Sequence, residues 1–109
     1  MILPLWKGLC VGLDFAIDEL YATGWTALDT AGCYHSNGRA YPGVQSVKVQ
    51  FREAGFDMAV QHIQLFDCYR AEWRDGSGAP AGAAVGRTEA EAAVYALAQL
   101  RRHLMAAVS

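Results

Sequence analysis

Two cysteines and two histidines carry the atom types a transition metal would want: Cys33 and His35 in Cys33-Tyr34-His35, then His62 and Cys68. Two sulfurs and two imidazoles suit tetrahedral zinc, but structural zinc sites bring their ligands in close pairs, and His62 with Cys68 is not one. No metal is expected on this spacing. Cys68 and His62 also imitate a nucleophile and its base, yet both fall around one hairpin and no third group stands by to orient the histidine. The chain is therefore expected not to be an enzyme and to need no cofactor. The stretch 76–82, Gly-Ser-Gly-Ala-Pro-Ala-Gly, lacks the lysine and hydroxyl that complete a phosphate-binding loop. It leads to Glu89 and Glu91, which would repel phosphate. Arg101, Arg102 and His103 are read as charges that favour the negative end of a helix dipole.

The densest run of polar side chains is 26–42, with Asp29, Cys33, His35, Asn37, Arg39 and Tyr41 among turn formers Gly32, Ser36, Gly38 and Pro42. It has no periodicity. A long irregular connection inside a small domain is a solvated connector or a binding loop. The candidate binding residues are Cys33, His35, Arg39 and His62, together with Trp6, Arg70 and Glu72 on grounds given below.

These side chains need elements to hold them, and the clearest is a C-terminal helix. Thr88 and Glu91 form a capping box, with Thr88 accepting from the amide three residues on and Glu91 reaching back to the Thr88 amide. Ala90, Val94, Leu97, Leu100 and Leu104 then make one apolar stripe. A second helix is expected over 42–54, with Val44, Val47, Phe51 and Ala54 on one face and Gly55 closing it. A hairpin follows, in which Ile63 and Leu65 share a face with Tyr69, Ala71 and Trp73 only if the loop is Phe66-Asp67-Cys68. That register sets His62 opposite Glu72 and Gln64 opposite Arg70, on a polar exposed face. Residues 76–82 read as a flexible turn, and 83–85 as a third strand.

The first thirteen residues are strongly apolar, with Lys7 their only charge. They lack the leading positive charge and cleavage site of a signal peptide and fall short of the roughly 20 apolar residues of a membrane span. One reading is a helix from Pro4 through Tyr21, ending at Gly24, with Leu5, Leu9, Leu13, Ile17 and Leu20 on one face. The other has Asp14 capping a shorter helix and leaves 1–12 as an arm. Either way Trp6 and its neighbours present apolar surface suited to a partner or a second copy.

At 109 residues with 53% apolar content, the chain is expected to be one domain, 1–109. Its net charge of -2 has no single-sign run, so neither nucleic acid nor an anionic membrane is an expected partner. Three cysteines at unrelated spacings argue against a disulfide framework and for a reducing, cytoplasmic setting.

The strand Tyr69-Arg70-Ala71-Glu72-Trp73, the glycine and proline loop, and Gly86-Arg87-Thr88-Glu89-Ala90-Glu91-Ala92 resemble the second half of HicB-type antitoxin domains, where a strand, a loop and a "GxTxxEA" helix start recur. The whole is also similar to small phage-associated α-β-β-α sandwich domains, whose leading helix ends in a step like Gly24-Trp25. These resemblances imply helices on an antiparallel sheet, and the first of them implies a HicB-like antitoxin as a separate alternative function. The expected fold is α+β: two N-terminal helices, a hairpin or three-stranded sheet, and a long C-terminal helix on one sheet face, with Trp25 and Phe56 at the core's ends. The expected function is a non-enzymatic interaction or self-association module acting through the apolar N-terminus or a strand edge. The alternative is a small-molecule or metal-binding protein using the 29–41 loop.

Overall fold

A computed structural model describes residues 12–27 and 33–108, with side chains as far as Met105. The order is helix α1 (Leu13–Ala22), strands β1 (Cys33–Ser36) and β2 (Arg39–Pro42), helix α2 (Val44–Glu53), strands β3 (Asp57–Ile63), β4 (Cys68–Arg74) and β5 (Pro80–Gly86), and helix α3 (Glu89–Val108). The fold is α+β, with a two-stranded sheet β1-β2 and a three-stranded antiparallel sheet β3-β4-β5.

The C-terminal helix is the centre of the molecule. Ala92, Ala93, Val94, Ala96, Leu97, Ala98 and Leu100 are all buried, more than a one-sided stripe requires. A helix apolar nearly all round needs cover on several sides. α3 packs on β4 and β5, on α2, and on α1. Its small residues let these neighbours come close. The packing differs from the expectation that every helix would lie on the sheet: α1's main partner is α3, because Ile17 and Leu20 are buried in the same core as Val94 and Leu97.

The start of α3 is a capping box with one change. The Glu91 amide donates to Thr88 Oγ1 at 3.1 Å, as expected, but the Glu91 carboxylate accepts from the Arg87 amide rather than that of Thr88. Glu91 is 2% exposed, so this bond satisfies a buried charge. α3 runs on to Val108, which leaves Arg101 and Arg102 short of the last turn. Their partners are on α1: Arg101 Nε donates to Thr23 Oγ1 at 2.8 Å, and Arg102 pairs with Glu19. These arginines cap and brace another helix instead of their own.

α1 begins at Leu13, because Gly12 takes φ 106° and ψ 171°, outside the helical region. An unbroken helix over 4–21 is thereby excluded. Residues 1–11, with Trp6, lie outside the described residues. α2 ends as expected: Gly55 has φ 90°, and the Phe56 amide bonds to Phe51 O at 2.9 Å and Gly55's to Arg52 O at 3.0 Å. This double closure satisfies carbonyls that a helix end leaves open.

The β3–β4 register differs from the sequence expectation. His62 pairs with Tyr69, Val60 with Ala71 and Met58 with Trp73, and a helical turn at Gln64–Phe66 with Asp67 at φ 47° joins the strands. The core face therefore carries Met58, Val60, Tyr69, Ala71 and Trp73. Ile63 is not on it, and Leu65 belongs to the turn. The pattern misled because Leu65 and Phe66 are apolar side chains that the fold leaves in solvent.

Candidate functional site

The polar stretch expected to be irregular is a hairpin. Asn37 and Gly38, at φ 53° and 78°, make a two-residue turn whose twist matches antiparallel strands. It pairs Ser36 with Arg39 and Tyr34 with Tyr41. Directly paired residues and those two apart share a face, so Tyr34, Ser36, Arg39 and Tyr41 project together.

The tip of that face is latched to α1. Arg39 donates to the Asp18 carboxylate and, through Nη2, to Asp14 O at 3.1 Å. Asn37 Nδ2 and Ser36 Oγ donate to the Asp14 carboxylate at 2.6 and 3.2 Å. Tyr21 Oη donates to Ala40 O at 2.6 Å, and the Arg39 guanidinium lies 5.8 Å from the Tyr21 ring centroid. The hydrogen bond to Asp18, aided by the nearby carboxylate charges, raises the Arg39 pKa above its ordinary value. Arg39 is thus a structural clasp whose two terminal nitrogens bond to α1.

The base of the same face borders a cleft of about 430 Å³. Its walls are Tyr34 and Tyr41 from the hairpin, Val44 and Gln45 from the first turn of α2, and Glu89 and Ala90 from the first turn of α3. The two tyrosine rings lie 6.0 Å apart, tilted by 31°. Tyr34 is 61% exposed, so one ring stands largely in solvent.

The other expected binding residues are dispersed. His35 is exposed on the opposite face of the hairpin from the tyrosines, and Cys33 is half-buried at its base. Cys68 is buried, and His62 bonds to Asp67 at 3.2 Å and stacks beside Tyr69 at 4.9 Å. Among the described residues no three of His, Cys, Asp and Glu converge as metal ligands would. Glu72 is not opposite His62: it pairs with Ala59, on the other face, and its carboxylate is bracketed by Arg70 at 3.1 Å and Arg74 at 2.8 Å. Arg70, Glu72 and Arg74 make a ladder on the open sheet face in which two arginines share one carboxylate, and Gln61, not Gln64, faces Arg70.

Two features escaped the sequence reading. The tyrosine pair was recoverable, because Asn-Gly between alternating residues is the strongest short hairpin signal and would have set Tyr34 against Tyr41. The second is the turn after β3, where Leu65 is 83% and Phe66 55% exposed. No pattern marks apolar residues for solvent. Glu89 was read only as part of an acidic helix start that would repel phosphate. Among the described residues no helix is long and apolar enough to cross a membrane. Comparisons with family models, curated proteins and solved structures return no match for this chain.

Proposed function

We propose that the protein is a non-enzymatic interaction module whose docking element is the β3 edge and the turn that follows it. The observation that carries this reading is the exposure of Leu65 and Phe66, adjacent large apolar side chains at the end of an edge strand. Soluble surfaces tolerate such side chains singly; an adjacent pair beside an open strand matches how extended partners are recognised. The strand supplies backbone groups for pairing and the pair supplies apolar anchors. β3 bears only one acidic residue, Asp57 at its start, and no lysine or proline of the kind that blunts an edge. The partner is a second copy or another protein with an extended apolar segment.

The test is size-exclusion chromatography with light scattering, and capture of partners from a cell extract, for the parent and for the L65S/F66S variant. Both substitutions fall at exposed positions, so circular dichroism is expected to be unchanged. Association present in the parent and lost in the variant is the expected result. A parent that neither self-associates nor captures anything, or a variant that behaves like the parent, sinks the reading.

A further inference from the structure

Beyond the β3 edge, the cleft beneath the hairpin joins aromatic and apolar walls to the polar Gln45 and Ser46, and the Glu89 carboxylate offsets the positive ends of the two helices that border it. Its apolar walls come from Val44, Ala90 and the two tyrosine rings. Glu89 is the only charged side chain among the described residues lining it. A tyrosine face is electron-rich and attracts cations, and a carboxylate does so more strongly. A small inorganic cation would have to shed tightly held water against apolar walls with one oxyanion to replace it, which is unfavourable. An organic cation whose charge is spread over methyl groups suits both the walls and the charge. Aromatic faces recognise quaternary ammonium groups on this basis. A volume of about 430 Å³ falls within the range of small-molecule sites.

We propose that this cleft binds a small organic cation of the methylated-ammonium class, held against the Tyr34 and Tyr41 rings with Glu89 as counter-charge. Tyr34 and Tyr41 share the hairpin face that Ser36 and Arg39 clasp to α1, so the clasp fixes the aromatic wall before the ligand arrives. Arg39 is here a positioning residue: its guanidinium is committed to Asp14 and Asp18.

The test is a titration with tetramethylammonium chloride at constant ionic strength, followed by the NMR signals of the Tyr34 and Tyr41 rings and the Val44 amide. Tert-butanol, of similar shape and uncharged, is the control. Saturable shifts with the cation and none with the alcohol are expected. E89Q and, separately, Y34L each weaken binding by about fivefold or more, the size expected for loss of one charge or one ring contact. Both positions are exposed, so an unchanged amide spectrum away from the cleft verifies the fold. R39A weakens binding less than E89Q does and leaves the preference for cation over alcohol intact. Linear or absent shifts, equal response to the alcohol, or E89Q binding like the parent each overturns the proposal.

Discussion

At the scale of single residues, two glycines are required by what lies beside them rather than by a turn. A Cβ on Gly82 would enter the Trp73 indole, which is buried and packed at 5.1 Å against Phe51. A Cβ on Gly86 would stand 2.6 Å from the Ala92 amide nitrogen, a backbone atom, and 2.9 Å from Glu91 Cβ. G82A is expected to cost about 1–3 kcal/mol, the range for overpacking a tight core, and G86A more, because the capped start of α3 would have to move. Urea denaturation ranks them, and an equal or reversed order would show that the Gly86 contact relaxes easily. Asp75 gives a pH prediction. Its carboxylate accepts from the Ser77 hydroxyl at 2.6 Å, the Ala79 amide at 3.1 Å and the Ser77 amide at 2.9 Å, and these bonds lower its pKa from the ordinary 3.8. A carboxylate whose folded value is depressed adds stability that is fully present above the unfolded value and is lost as pH falls through the folded one. Between about pH 6 and pH 3 the parent is therefore expected to lose more stability than D75N. Parallel losses in both would mean that the turn does not favour the ionised form.

At the scale of elements, legibility followed how local the determining signal was. The cap of α3, the apolar face of α2 and the closure at Gly55 are set within a few residues, and each was readable. The β3–β4 register was not. It depends on a helical turn that leaves Leu65 and Phe66 in solvent, and a pattern argument gathers apolar residues onto one face by construction. The β1–β2 hairpin was readable at Asn37-Gly38, but its docking was not, since Arg39 with Asp18 and Asn37 with Asp14 join elements remote in sequence. Much of the candidate cleft was hidden for the same reason: Tyr34 and Glu89 come from opposite halves of the chain. The hairpin is attached to α1 by exposed polar bonds, and exposed ion pairs are worth little, about 0–1 kcal/mol each. R39A is therefore expected to change the global unfolding midpoint only slightly while accelerating amide exchange across 33–42. A large drop in global stability with unchanged exchange in 33–42 would show that the hairpin belongs to the core's cooperative unit.

At the scale of the whole molecule, α3 decides whether the chain unfolds in one step. It packs on α1, α2, β4 and β5, so its loss would remove core contacts from both other helices and from the sheet. Leu97, 1% exposed, lies in the buried cluster with Ile17 and Leu20 of α1, Phe51 of α2 and Trp73 of β4. Truncating a buried leucine to alanine costs about 2–5 kcal/mol, a large share of the roughly 5–15 kcal/mol that holds a domain of this size. L97A is thus expected to lower the melting temperature by about 10 °C or more. Its transition stays single, because the lost contacts are shared by every layer. Trp25 lies after α1 and Trp73 on the central strand, so variants retaining one or the other as the sole tryptophan report from different elements. Coincident melting of both reporters in the L97A background supports α3 as the common support. If the Trp25 reporter melts well before Trp73, α1 is a separable layer on a sheet and two-helix core, and the docking edge at β3 would survive its loss.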